Sequence, residues 1–320
     1  MKNQIEIEQT YEDIYQSIFG TPPPTSVTLD ESNADIISQG RGFMEGFDLT
    51  MQLQVGCPGG CLFCYVPSGT RLTPSAIRGS KGEEWGFQVR NKKNVIAQLK
   101  RHLDKEHLAD KTIYWSGVTD AYAAPPVVTR GLWQTLDESA ANLRPRRIVI
   151  QTRFRPDRDV DLIAKYNQST QPSDQGPPVV VSFSLGTDRN ELIRAWERAT
   201  PLYEHRMKAI QTLCETGIFV VPTLSPFALW NDLKHTLRLL NSWGVAYITC
   251  LFFKENTQSA NTPRHFLAYL RREYPFLLDI DWQNEQLETI KGVFGKDRVI
   301  VGRSGFSSLV RPHQITEFIQ

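Results

Sequence analysis

The chain has 320 residues, long enough to bury a sizeable core as one large α/β domain or two ordinary ones. With 40% hydrophobic and 22% charged residues its composition is that of a globular protein, and a formal net charge of +1 provides no bulk attraction to nucleic acid or to an anionic membrane. No apolar run approaches the roughly 20 residues that span a bilayer, and the N-terminal MKNQIEIEQT lacks the basic and apolar regions of a signal peptide, so a cytoplasmic location is expected.

Residues 1–40 are polar and turn-rich, interrupted by Pro22, Pro23 and Pro24, and are expected to form a partly irregular lead-in. From about residue 48 strand-length apolar runs alternate with helically spaced segments. The strands expected are 49–55, 112–117, 147–152, 179–185, 218–224 and 246–252; the helices are 91–107, 127–142, 158–166, 202–216, 228–243 and 262–273. In one helix Met207, Ile210, Leu213 and Cys214 share a face, and Gly217 is placed to stop it. Six β–α units in series imply a parallel sheet, because each crossover returns the chain to the same edge. A complete barrel needs about eight such units. The expected fold is therefore α/β, an incomplete (β/α)6 TIM-like barrel over 41–275, followed by a small α+β extension over 276–320. The extension should hold a helix near 283–294 and short strands at 298–301 and 307–310. In such folds the site lies at the carboxyl ends of the strands.

Five cysteines, with Cys57, Cys61 and Cys64 inside eight residues, argue for a metal site and against a disulfide framework. The segment Gly56-Cys57-Pro58-Gly59-Gly60-Cys61-Leu62-Phe63-Cys64-Tyr65 follows the first expected strand, and its glycines allow the loop to curl three thiolates toward one centre. Three thiolates suit three irons of a [4Fe–4S] cube whose fourth iron stays open. The competing reading is a structural zinc, which needs a fourth donor; the next candidate in sequence is His102, within an expected helix. Burial as plain core thiols is a further alternative.

C-x3-C-x2-C with an aromatic residue before the last cysteine resembles the signature of the radical SAM superfamily, and the flanking segments resemble its spore photoproduct lyase-like branch. The segments are Gly40-Arg41-Gly42-Phe43-Met44-Glu45-Gly46-Phe47-Asp48, Cys64-Tyr65-Val66-Pro67, Trp85-Gly86 with Val89 and Asn91, and Ser116-Gly117-Val118-Thr119-Asp120-Ala121-Tyr122. They continue with Thr129-Arg130, Ile150-Gln151-Thr152-Arg153, Val181-Ser182-Phe183-Ser184-Leu185, and Glu197-Arg198-Ala199-Thr200-Pro201 with Arg206. Together they cover roughly residues 40–255, in the family's order.

The resemblance implies two cofactors, a [4Fe–4S] cluster on Cys57, Cys61 and Cys64 and S-adenosyl-L-methionine (SAM) on the open iron. It also implies reductive cleavage of SAM to a 5′-deoxyadenosyl radical that abstracts hydrogen from a substrate, and a low-potential electron donor of the flavodoxin or ferredoxin type. Phe63 and Tyr65 are expected to shield the cluster and border adenine, or simply to pack. Ser116, ending the second strand, is a candidate to bond the methionine moiety, or a turn residue. Arg153 stands where the related lyase carries a lysine that meets the SAM carboxylate, which arginine can grip bidentately. Ser184 is a candidate partner of the ribose or the carboxylate. Asp120 and Tyr122 are candidates to face substrate, Asp120 alternatively a turn cap. Glu197 and Arg206 are candidates for a structural ion pair, and Cys250 for a hydrogen donor or a core residue.

One departure bears on the reaction. Spore photoproduct lyase returns a hydrogen atom from a cysteine that follows the serine at the end of the second strand, and here that position is Gly117. Glycine has no S–H, so this chain cannot perform that step in the same way. The substrate is left open between a nucleic acid and a ribosomally made peptide. The former would need a basic groove, with Arg144, Arg146, Arg147, Arg153, Arg155 and Arg158 as candidates. The other functional class is a non-catalytic metal-binding interaction module.

Overall fold

The computed structural model describes residues 7–40, 44, 46–68, 75–171, 174, 176–254 and 262–315. The strands in chain order are β1 (Thr28–Ser32), β2 (Ile37–Gln39), β3 (Leu49–Met51), β4 (Gln54–Val55), β5 (Gln88–Lys92), β6 (Thr112–Trp115), β7 (Arg147–Thr152), β8 (Val179–Ser184), β9 (Phe219–Leu224), β10 (Ile248–Cys250) and β11 (Val299–Val301). The helices are α1 (Tyr11–Phe19), α2 (Ser75–Arg78), α3 (Val95–Asp104), α4 (Pro126–Glu138), α5 (Val160–Ser169), α6 (Asn190–Trp196), α7 (Tyr203–Glu215), α8 (Leu233–Ser242), α9 (Arg264–Glu273), α10 (Ile280–Phe294) and α11 (Arg303–Ser308).

An eight-stranded sheet runs β11–β10–β9–β8–β7–β6–β3–β2, and a small sheet β1–β5–β4 stands beside it. Every pairing in the large sheet is parallel except that of the edge strand β2 with β3. The strands follow one another outward from β3, as consecutive right-handed crossovers require. The sheet is open, ending at β2 and β11, as the count of β–α units led one to expect.

Alternation along each strand divides its side chains between two faces. Ile113, Trp115, Ile148, Ile150, Val179, Val181 and Val220 join the core formed with α3, α4, α5, α7, α8 and α10. The opposite, inner face carries Tyr114, Val149, Val180, Val221, Tyr247 and Ile300, capped by Met44, Phe47 and Leu309. Further toward the carboxyl ends this face turns polar. Gln151 accepts a bond from the Tyr114 hydroxyl (3.2 Å) and donates to Ser184 (3.0 Å). Thr223 hydrogen-bonds Ser182 (2.9 Å) and Thr249 (3.0 Å). At the opposite end Arg147 is wholly buried and closes the floor. It binds both Asp174 oxygens (2.8 and 3.0 Å) and donates to the carbonyls of Pro177 and Val310 (2.8 Å each).

The expected helix 91–107 opens as the end of β5 and is helical over Val95–Asp104, and α6 was not expected; four further details also differ from the sequence expectation. The stretch 49–55 is two strands in two sheets: β3 pairs with β6, then the chain turns so that β4 pairs with β5. Apolar alternation cannot mark that turn, because Leu53 is buried on both readings. Within the lead-in, α1 is a capped helix: Thr10 accepts from the Asp13 backbone N–H (3.2 Å) and Asp13 from that of Thr10 (2.9 Å). The segment 307–310 is not a strand: α11 occupies 303–308, and the Ser308 hydroxyl donates to the Gly305 carbonyl (2.8 Å). Its apolar residues face the floor of the inner surface, which a short helix can cover as well as a strand. Finally, β11 joins the sheet beside β10 as a seventh parallel strand.

Candidate cluster-binding site

The cysteine loop leaves β4 and curls at the carboxyl ends of the strands. Gly56 takes φ +84°, and any Cβ there would collide with the Gln88 carbonyl oxygen. A Cβ on Gly86 would lie 2.5 Å from the Gly60 Cα, so the two backbones pass closer than side chains permit. Arg198 clamps the curl. Its Nη2 donates to the carbonyls of Pro58 (2.6 Å) and Gly86 (3.0 Å), and its guanidinium lies 4.9 Å from the Phe87 ring centre. Two further residues brace the loop: the Tyr11 hydroxyl of α1 donates to the Gly60 carbonyl (2.9 Å) and the Thr119 hydroxyl to that of Gly56 (2.6 Å). Arg198, Tyr11 and Thr119 were not singled out from sequence, because their effect is on carbonyls far away along the chain.

Cys57, Cys61 and Cys64 are free thiols, each half-buried, and each acts electrostatically on another of the three. Burial is the main influence on all of them and pushes Cys57 and Cys64 up to about 12 and Cys61 higher still. The Arg153 charge opposes this at every one. The Trp85 indole N–H bonds the sulfur of Cys64. Such thiols stay protonated until a cation arrives to replace the proton. Three clustered thiols beside a fixed cation, on a loop held by its backbone, fit a group bound through three thiolates. Among the described residues, no set of three or more His, Cys, Asp or Glu side chains closes on a point suited to a single metal ion.

Arg153 is the residue that the fold brings to all three cysteines. It follows β7, its guanidinium lies 5.1 Å from the Phe63 ring centre, and its Nη1 is 2.9 Å from Glu197 Oε1. Phe63 in turn packs edge-on against Trp196, Phe253 and Phe266, an aromatic wall from α6, the end of the β10 loop and α9. The Tyr65 hydroxyl donates to the Gly117 carbonyl (2.6 Å), joining the loop to the end of β6. Ser184 sits at the end of β8 on the inner face, bonded to Gln151.

The remaining candidates are placed differently. The Ser116 hydroxyl donates to the Thr119 carbonyl, and the residue takes φ +87°, a costly conformation for an L-residue. Asp120 is buried and accepts from Thr152 Oγ1 (2.6 Å), Arg153 N (2.8 Å) and Tyr122 N (2.9 Å). It ties the ends of β6 and β7 together; burial raises its pKa although these bonds oppose the rise. Tyr122 lies on the helix side, with its hydroxyl accepting from Trp133 Nε1 (2.8 Å) and its ring under Arg158 at 5.0 Å. The structure thus brings Phe63, Tyr65 and Arg153 to the cysteines, with Asp120 supporting Arg153 from behind, and does not bring Tyr122 there. Cys250 also turns to the helix-packed core, because its position in β10 has the outward parity.

The six arginines proposed for a basic groove do not form one. Arg144 and Arg146 precede β7 and Arg147 opens it, whereas Arg153, Arg155 and Arg158 follow it, about 20 Å away along a six-residue strand. Arg144 bonds the Ser139 carbonyl, Arg146 reaches Asp48 and Asp110, Arg155 pairs with Asp157, and Arg158 bonds the Ala124 carbonyl.

At Gly117, a Cβ would fall well inside van der Waals contact distance of Met44 Sδ and 2.8 Å from its methyl carbon. The thioether therefore fills the space a cysteine side chain would need. Gly117→Cys is expected to destabilise the protein by about 1–3 kcal/mol through overpacking. In a urea-unfolding double-mutant cycle with Met44→Ala, the pair should lose less than the sum of the singles. Strict additivity would show that Met44 is not the obstacle.

The family model of the radical SAM superfamily matches residues 51–240, more than half of the chain, and the chain belongs to that superfamily. Solved structures of spore photoproduct lyase share its fold. A cysteine-to-serine variant superposes with a TM-score of 0.53 at 13% identity, over 94% of this chain and 87% of that one. A variant with bound AdoMet and dinucleoside spore photoproduct gives 0.51 at 14% identity, over the same shares. No curated protein matches the chain in sequence. Among the described residues, no helix is long and apolar enough to cross a membrane.

Proposed function

We propose that this chain holds a [4Fe–4S] cluster through Cys57, Cys61 and Cys64, binds SAM beside it, and uses the pair to abstract hydrogen from a substrate. The observation carrying this reading is Arg153, a buried cation that lies over the Phe63 ring and whose charge acts on all three cysteines of the loop. When bound, the cluster and SAM supply a carbon-centred radical on the adenosyl group.

The residues have separable tasks. The three thiolates hold iron, each giving up its proton as the metal arrives. Arg153 receives the amino-acid carboxylate of SAM. Phe63 and its aromatic neighbours exclude water on one side. Tyr65 fixes the loop against the end of β6, and the polar inner face around Gln151 and Ser184 offers hydroxyl and amide partners to the adenosyl end. A structural zinc is disfavoured by its demand for four donors meeting at one point.

Hydrogen return from a cysteine in the manner of spore photoproduct lyase is not part of this proposal, since Gly117 has no thiol and Met44 occupies the space. The six arginines are dispersed and lend no support to a nucleic acid through a shared basic groove, and of the two substrate classes a ribosomally made peptide is the one we propose. A flavodoxin- or ferredoxin-type donor would supply the electron.

Reconstitution with iron and sulfide without oxygen, followed by reduction, should yield 5′-deoxyadenosine from SAM. A fully loaded, reduced chain that gives none with peptide or nucleic-acid candidates would count decisively against the proposal. Deuterium transfer from a labelled substrate into deoxyadenosine would identify the substrate class. Arg153→Ala should weaken SAM binding by about 10- to 100-fold, the worth of a charge-assisted bond, with iron content unchanged. Unaltered SAM affinity would remove Arg153 from the site.

A further inference from the structure

Behind Cys61 lies a buried charge cluster with no task in the scheme above. Glu197, in the turn after α6, places Oε1 2.9 Å from Arg153 Nη1 and Oε2 2.6 Å from Arg206 Nη2. The Thr200 hydroxyl also donates to Oε2. Arg206, on α7 and wholly buried, is held by the Pro201 carbonyl through Nε (2.7 Å) and by Thr200 Oγ1 through Nη2 (2.8 Å). Its Nη1 is buried without a partner.

Glu197 thus stands between two arginines, and Asp120, also buried, acts electrostatically on Arg153 as well, so the arginines do not outnumber the carboxyl groups around them. Arg153 is fixed at both ends: its backbone N–H by Asp120, and its guanidinium by the Phe63 ring and, through Nη1, by Glu197. Among the described residues only Nη1 has a polar partner, so the edge formed by Nε and Nη2 is left for a second carboxylate.

We propose that Glu197 and Arg206 are positioning residues of the SAM site: Arg206 anchors Glu197, and Glu197 aims Arg153 so that its open edge meets the carboxylate of SAM. This rests on the reading of the site as a SAM site. A long, flexible side chain held ready in this way loses less freedom when the ligand binds.

The test compares SAM with decarboxylated SAM on the cluster-loaded protein, by anaerobic equilibrium dialysis. Glu197→Asp keeps the charge and withdraws it by one methylene. It should weaken SAM about tenfold while leaving decarboxylated SAM within about twofold of wild type and iron content unchanged. Arg206→Lys, which keeps a cation but loses the fork, should show the same selective loss. Equal losses for both ligands would mean a merely structural role. Tighter SAM binding would make Glu197 a competitor for Arg153, and either result overturns the proposal. So does a loss of iron in both variants, which would assign the pair to the loop. A wild-type protein with a complete cluster that binds neither ligand would instead sink the underlying reading of the site.

Discussion

Replacing Cys57, Cys61 or Cys64 singly by alanine should abolish cluster retention, and with it SAM cleavage. The effect is expected to exceed the roughly 10- to 100-fold that loss of an outer-shell partner costs a metal site, because a ligand itself disappears. The chain offers no substitute nearby: Cys214 lies on α7 and Cys250 is turned into the helix-packed core. The substitution should leave the fold intact, since the side chains of Arg198, Tyr11 and Thr119 hold the loop through its carbonyls whichever thiol is removed. Iron and sulfide content after reconstitution, with circular dichroism on the same sample, separates the two effects. A Cys→Ala variant that loads a full cluster would contradict the ligand assignment, and a variant that unfolds would show that the thiols carry structural weight.

Glu197→Ala should be the most destabilising single change at the site, by about 3–5 kcal/mol, because it strands two buried guanidinium groups without a counter-charge. Urea unfolding of the cluster-free chain measures it; a loss below about 1 kcal/mol would mean that solvent already screens the cluster of charges. The same carboxylate gives a pH signature. Burial raises its pKa, but Arg153 and Arg206 outweigh burial and bring it from an ordinary 4.5 to about 2. The unfolded chain therefore binds more protons than the folded one between those values. The stability contributed by Glu197 is complete above about pH 4.5 and is lost as pH falls toward 2. Asp120 works in the opposite sense, since burial raises its pKa and stability falls as pH rises through its range. Subtracting the Glu197→Ala curve from that of wild type removes Asp120, which both share, and the difference should shrink on acidification. A difference that is flat across this range would show that Glu197 keeps its ordinary affinity for protons.

The cysteine loop and the alternation of strand and helix were legible in the sequence for the same reason: both are local. Thiolate spacing within eight residues fixes which sulfurs can share a metal, and backbone periodicity fixes which residues share a face. Arg153 could be found because it directly follows a strand of the parallel run, at the position the family resemblance marked. Its partner Glu197 could be named only as half of a different pair, with Arg206, since such pairings are set not by neighbours in sequence but by which elements become adjacent, as Tyr11 meets Gly60 across 49 residues.

What the amino-acid order determined alone was the chemistry available, three thiolates on a glycine-rich curl, together with an open parallel α/β sheet to carry it. Tertiary structure decided how charge is distributed over that scaffold. It buried Arg147 in the floor, set Arg153 over Phe63 of the cysteine loop, turned Tyr122 and Cys250 outward, and filled the place beside Gly117 with Met44. A charge must find its counter-charge wherever the chain's crossovers bring one, and a buried group must meet whatever volume remains; neither condition has a period that sequence can display.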